Sequence, residues 1–259
     1  MTFIPAMTGL RQNSSKKDSE LPVLIRIVGA LLVVLVAGGL ARADFQFQDW
    51  RFDRDQPGQP PSGFTPGSAH GDSGRWEVKA DPQSSSPPNV LAHISSDQAG
   101  KGAQVLFIEK AEAANLDLTV RMKTVTDGES QGSGVVFRAQ NDRNYYVVWL
   151  SPKENLVRLD KVVNGETKTL QDLLVEAKTG QWHNLRLSIR GPVLEAFFDN
   201  RRFLSAREDE WQHSSYKHGK IGLWARGPGV VYFDNVRLTR MDEGTGSVPL
   251  GGTETTIIK

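Results

Sequence analysis

The chain has 259 residues, 38% of them hydrophobic and 24% charged, with a formal net charge of +1. That length and composition suit one or two globular domains with a real core. There is no cysteine, which excludes disulfides, zinc-thiolate sites, a thiol nucleophile and a lipidated cysteine anchor. The first 43 residues hold five basic and two acidic side chains, so the remainder carries a net charge of −2. A near-neutral body argues against nucleic acid as a partner, because such proteins carry a basic surplus.

The N-terminal segment reads as an address. Lys16, Lys17 and Arg26 precede an apolar run over 27–41, and Ala41-Arg42-Ala43 stands before Asp44. A basic n-region, an apolar h-region and a small-x-small site describe a signal peptide over 1–43, cleaved after Ala43. The alternative is an uncleaved anchor, for which the run is short of the ~20 residues needed to span a bilayer. Either way the body is expected to be exported, periplasmic or extracellular, and to touch a membrane only through this segment if it is uncleaved.

After Asp44 the sequence offers short β-rich runs separated by turn residues. Strands are expected at 75–80, 90–95, 103–110, 116–125, 134–140, 144–150, 156–163, 166–170, 182–190, 193–199, 202–206, 220–225 and 230–238. Asn164-Gly165 is a hairpin signal, and Gly191-Pro192 and Asp199-Asn200 mark further turns. Leu118, Val120 and Met122 alternate with Thr119, Arg121 and Lys123, and Leu185, Leu187 and Ile189 with Arg186, Ser188 and Arg190. Such alternation gives one face to a core and one to water. The runs 145–150 and 221–224 are apolar on both faces, as central strands or groove-lining strands would be. The expected fold is all-β: one antiparallel two-sheet jelly-roll sandwich over 44–241, preceded by the signal or anchor helix and followed by a disordered tail over 242–259. Residues 51–73 and 81–88 read as long loops.

One ordered series of segments stands out. It runs Gly132-Ser-Gly-Val-Val-Phe-Arg138, Asn144-Tyr-Tyr-Val-Val-Trp149, Gly180-Gln-Trp-His-Asn-Leu-Arg186, Phe198-Asp-Asn200, Gly219-Lys-Ile-Gly-Leu-Trp224 and Tyr232-Phe-Asp-Asn-Val-Arg237. This series, from about Trp76 to Leu238, resembles concanavalin A-like lectin/glucanase (laminin-G-like) domains. It is similar above all to the bacterial 3-keto-disaccharide hydrolase-like domains. The resemblance implies the sandwich fold and a glycan or polysaccharide as partner. It does not fix activity, because the fold serves both binding modules and enzymes. Two segments depart from the family pattern. The opening reads Phe45-Gln-Phe-Gln-Asp-Trp50 where Phe-Asn-Gly is usual, and the 145–149 strand lacks the acidic residue of a Tyr-Glu-type pattern.

The chemistry legible in the chain is sparse. No Glu is followed two residues on by Asp, so the Glu-x-Asp-x-x-Glu strand of retaining glucanases is missing. None of His70, His93, His183, His213 and His218 pairs at metal-ligand spacing, and His183 shares its parity with an apolar face. No Gly-x-Ser-x-Gly elbow, phosphate loop or dinucleotide fingerprint is present. The aromatic and planar polar residues are the better lead, since sugars stack C–H faces on rings and bond to planar side chains. Arg138, Gln140, Tyr146, Trp224 and Arg226 are the candidate glycan-binding set, while Trp149 and Trp182 are expected in the core. Asp234-Asn235 near the last strand, with Asp49, Asp53 or Asp55 near the first and Asp53 preferred, would suit a structural calcium where the terminal strands meet, as related sandwiches often hold one there. No other cofactor is expected. The leading reading is an exported, non-catalytic carbohydrate-binding module. The alternatives are a glycoside-processing hydrolase using Asp160, Lys161 or Glu154, and a structural or adhesive module of the cell envelope.

Overall fold

The computed structural model describes residues 45–67, 74–96, 102–126, 128, 131–207 and 216–241. The expected leader over 1–43 and the tail from 242 lie outside the described residues. The described chain is all-β, and two antiparallel sheets face each other across a common core.

Eight strands form the first sheet. They are β1 (Phe45–Trp50), β3 (Arg75–Ala80), β4 (Asn89–Ser95), β6 (Leu116–Thr124), β11 (His183–Arg190), β12 (Val193–Phe198), β13 (Arg201–Arg207) and β15 (Gly229–Met241). Their order is β13-β12-β11-β6-β15-β4-β3. β15 is long enough to serve two neighbours on one edge. Its first half pairs with β4 and its second half with β1, while β6 runs along its other edge. The division falls at an irregularity around Asp234 and Asn235, where Asn235 has φ +49°. An extra residue in one strand bends and twists it, which lets two strands share one edge.

Seven strands form the second sheet: β2 (Phe64–Pro66), β5 (Ala103–Ala113), β7 (Gly132–Asn141), β8 (Asn144–Ser151), β9 (Leu156–Val163), β10 (Glu166–Leu174) and β14 (Gly219–Arg226). Their order is β10-β9-β8-β7-β14-β5-β2. The thirteen expected strands all form, with ends shifted by a few residues. β1 and β2 are additions. β2 is three residues long inside a segment that reads as loop, and its pairing with β5 supplies the order that Pro, Gly and Gln hide.

The core between the sheets follows from the alternation. Leu118, Val120 and Met122 of β6 and Leu185, Leu187 and Ile189 of β11 meet Val135 and Phe137 of β7 and Tyr146, Val148 and Leu150 of β8. Phe137 and Tyr146 stack at 5.4 Å. At one end of the sandwich His93 of β4 reaches across to β5, where its Nε2 lies 3.2 Å from Gln104 Oε1. Gln104 in turn donates to the Gly74 carbonyl. His93 is 2% exposed and packs on Trp76 at 4.8 Å. Burial opposes its charged form and lowers its pKa to about 4, partly offset by the Gln104 hydrogen bond.

A histidine whose folded pKa lies below its unfolded value of about 6.5 favours the native state fully above that value. The contribution is lost as pH falls from about 6.5 towards 4, by about 3 kcal/mol in total. Urea midpoints at pH 7.0 and 4.5 are expected to differ more in the wild type than in His93→Gln. Equal differences in the two proteins would show that His93 is not the titrating group.

Candidate binding site on the outer face of the seven-stranded sheet

The central strands of the seven-stranded sheet are buried on both faces, although the partner sheet covers only one. Cross-strand pairing places Val105, Trp224, Gly134, Trp149 and Arg158 in one row across β5, β14, β7, β8 and β9. The next row runs Phe107, Gly222, Val136, Val147 and Asp160. Both rows point away from the inter-sheet core and form a second apolar cluster. Glycines make room for its indoles. A Cβ at Gly134 would sit 2.6 Å from Trp149 Cα, and one at Gly132 would sit 2.9 Å from the Trp149 ring and 3.3 Å from that of Trp224. The Gly132-Ser-Gly134 segment therefore leaves the space in which the two rings lie, 5.4 Å apart and inclined at 37°.

Arginines close the cluster from outside. Arg226 Cζ lies 4.1 Å from the Trp149 ring centre and 5.9 Å from that of Trp224, and Arg158 Cζ lies 5.4 Å from Trp149. Guanidinium over indole is the strongest common form of this contact, worth up to about 2 kcal/mol where water is excluded. Trp149 is 0% and Trp224 4% exposed. Glu154 lies 3.8 Å from Arg226. Burial pulls the Arg226 pKa down, and Glu154 and Asp160 oppose that shift.

Beside this cluster opens a cavity of about 190 Å³, lined by Asp142, Tyr145, Val147, Asp160, Trp224 and Arg226 among others. Its polar atoms are held in place. Trp149 Nε1 donates to Asp160 Oδ2 at 2.7 Å, and Trp224 Nε1 donates to the Tyr145 hydroxyl at 3.3 Å. Asp160 is 3% exposed, and its Oδ1 is buried with no hydrogen-bond partner among the described residues. An unsatisfied buried carboxylate oxygen is costly, so this atom calls for a donor, from an ordered water or from a ligand group. Burial raises the Tyr145 pKa; its bond from Trp224 opposes the rise, and Asp142 and Asp160 add to it. The phenol thus stays protonated at neutral pH and offers both a donor and an acceptor.

Of the five residues expected to bind glycan, Trp224 and Arg226 share this cavity. The other three lie elsewhere. Tyr146 is fully buried in the inter-sheet core, because it pairs with the inward-facing Phe137. Arg138 has φ +49°, and the register shifts between Phe137 and Asn141, so the parity that carried the expectation breaks there. Its guanidinium, in a residue only 4% exposed, instead donates to the carbonyls of Ala114 and Gly191 at 2.9 Å. Gln140 donates to the carbonyls of Arg138 and His218 and lines a neighbouring groove of about 530 Å³, which shares Asp142 with the cavity. Trp149, expected in the core, is buried on the outer face instead. Trp182 is half-buried and packs beside Val90, Ala92 and Tyr232 outside the eight-stranded sheet. The candidate set omitted Tyr145, and Asp160 entered it only for the hydrolase alternative. A carboxylate one residue after Leu159 and two before Val162, in a strand otherwise rich in apolar residues, was the available signal.

Asp53 and Asp234 interact through their charges. Asp234 is 0% exposed, and its carboxylate accepts from the Ser86 N–H and hydroxyl and from the Asn235 N–H. Burial raises its pKa, those hydrogen bonds oppose the rise, and the charge of Asp53 adds to it. Asp53 Oδ1 is buried without a partner among the described residues. Two carboxylates that repel each other, one with an unpaired oxygen, fit a hard cation in part. Backbone or water oxygens would have to complete the shell, since no group of three His, Cys, Asp or Glu side chains gathers among the described residues.

The chain belongs to the family of 3-keto-alpha-glucoside-1,2-lyase-like domains, whose model matches residues 52–239. No curated protein matches it. Among solved structures it is similar to the carbohydrate-binding module CBM66 from Bacillus subtilis, at 16% identity and a TM-score of 0.53, over 68% of this chain and 94% of that one. The globular domain of T. cruzi calreticulin is similar at 12% identity and a TM-score of 0.52, over 74% of this chain and 87% of that one. A glycosyl hydrolase-type protein from Parabacteroides distasonis matches at 14% identity and a TM-score of 0.47, over 71% and 91% of the respective chains. At such identities the first two likenesses establish the fold and nothing finer.

Proposed function

We propose that this domain binds a glycan in the cavity bounded by Tyr145, Asp160, Trp224 and Arg226. The observation that carries the reading is a cavity edged by an indole, a phenol and a guanidinium and lined by Asp160, whose carboxylate is held by Trp149 Nε1–H on one oxygen and has no partner on the other among the described residues. A sugar hydroxyl supplies the missing donor, and its ring C–H face suits the aromatic wall. At about 190 Å³ the cavity is below the roughly 300 Å³ lower bound for drug-sized ligands, which suits one sugar ring rather than a chain. The likeness to a carbohydrate-binding module supports the same reading. The module acts outside the cytoplasm, delivered by residues 1–43. Mass spectrometry of the mature protein is expected to find an N-terminus at Asp44, and an intact leader would replace the signal with an anchor.

A second reading, glycoside processing, is favoured by family membership and by the carboxylates Asp142, Asp160 and Glu154 around the cavity and Arg226. A glycan array with the full chain separates the two, followed by incubation of any bound sugar and of a 3-keto-glucoside. Binding without turnover is the expected result. Arg226→Gln and Asp160→Asn are each expected to weaken binding at least tenfold, about 1.4 kcal/mol. An empty array with turnover of the 3-keto sugar would install the enzyme reading, and neither binding nor turnover would favour an envelope scaffold.

A structural calcium between Asp53 and Asp234 is part of the proposal. It would relieve the repulsion of two carboxylates that the seam holds together. Calcium at a hundredfold excess over its Kd adds about 2.7 kcal/mol, several degrees of Tm in a domain of this size. Millimolar calcium is therefore expected to raise the wild-type Tm and leave Asp53→Asn unmoved. An unchanged wild-type Tm would remove the metal.

A further inference from the structure

The outer side of the eight-stranded sheet carries a second constellation. Thr119, Arg121, Asn184, Asn200, Asn235 and Arg237 line a pocket of about 370 Å³, and among the described residues no carboxylate lines it. Sheet register assembles it. Arg121 of β6 stands opposite Asn184 of β11, and Thr119 stands opposite Arg237 of β15. Asn200, in the turn after β12, and Asn235, at the irregularity of β15, have φ of +66° and +49°. Asparagine tolerates that left-handed backbone better than most residues, and both residues line the same pocket, where the Asn235 amide also donates to Ser85 Oγ at 3.1 Å.

The arginines here differ from the others on this face. Arg186 is fixed on Asp117 at 2.6 Å. Arg121 and Arg237 form no ion pair and no side-chain hydrogen bond among the described residues, and Arg121 Nε is shut off from solvent without an acceptor. The nearby acids are engaged elsewhere: Asp49 with Arg51, Asp199 with His183 and the Asn184 N–H, and Asp234 with Ser86. A guanidinium donor buried without an acceptor is a standing cost. Two guanidinium forks beside amide donors match the oxygens of a single anionic group.

We propose that this pocket binds one oxyanion group, a carboxylate, sulfate or phosphate, gripped by Arg121 and Arg237 and completed by the asparagine amides. The group is either a free ion or an acidic substituent of a polysaccharide. The site lies on the opposite sheet from the Asp160 cavity and depends on none of its residues.

Calorimetric titration of the full chain at low salt, with sulfate, with phosphate and with polygalacturonate, tests the proposal. Saturable binding is expected, weakened at least tenfold in Arg121→Gln and in Arg237→Gln and unchanged in Asp160→Asn. Arg237 is exposed, so Arg237→Gln keeps the fold, and an unshifted Tm verifies it. Binding of the simple ions points to a free oxyanion, and binding of the polyuronate alone points to a glycan-borne carboxylate. Either supports the site. Failure of all three ligands overturns it. So does binding that both arginine variants retain, or an equal loss in Lys79→Gln, a neutralised lysine outside the pocket.

Discussion

Burying both faces of one sheet, with a second sheet to cover only one of them, is the constraint on which the site depends. Sandwiches ordinarily leave outer faces polar and alternate along each strand. Here Val136, Val147, Trp149 and Trp224 on the outer face are as sheltered as the residues between the sheets. A third layer of secondary structure would solve this, but none lies there among the described residues. The molecule uses its own surface side chains. Glycines at 132 and 134 let the indoles lie against the sheet, and the arginines at 158 and 226 fold their guanidinium planes over the rings. Polar covers have polar requirements, so the cluster needs Glu154 and Asp160 near the arginines. The acidic and aromatic cavity is a consequence of how that face is closed.

The eight-stranded sheet answers a different demand. β15 must accept β4 and β1 along one edge, and its irregularity at Asp234 and Asn235 makes that possible. The same irregularity buries Asp234 beneath the Ser86 segment and turns Asn235 outward, where it donates to Ser85 and borders the oxyanion pocket. One local break in register thus shapes both the proposed metal seam and the proposed anion site.

The fold was legible because its signals are local. Alternation over Leu118–Met122, the Asn164-Gly165 turn and the Gly180–Arg186 segment each report a strand or a hairpin independently of what they pack against. The site was less legible because its signals are relational. Trp149 and Tyr146 lie three residues apart in a run apolar on both sides, and parity within the run cannot say which of its two faces meets the other sheet. Arg138 was misplaced for a sharper reason. A left-handed residue at that position offsets the alternation downstream, and a bulge of this kind leaves no composition signal when the residue is not glycine. Trp224 and Arg226 were placed together because β14 stays regular from Gly222 to Arg226.

The two proposed sites differ in what their lining residues lack. In the cavity on the seven-stranded sheet Asp160 Oδ1 is an acceptor without a partner, and in the pocket on the eight-stranded sheet Arg121 Nε is a donor without one, among the described residues. A neutral polyhydroxyl ligand answers the first need and an anion the second, so neither ligand can substitute for the other. Stacked sheets lie about 10 Å apart, before the side chains on the outer faces are added. At physiological ionic strength exposed charges are largely screened beyond about 8 Å. An anion on one face therefore changes little for a sugar on the other, and the two sites are expected to fill independently. A polysaccharide bearing both neutral rings and acidic groups would then gain affinity only by wrapping an edge of the sandwich. The edge strands β10 and β13, one on each sheet, and the turn at Asn200 lie on that path.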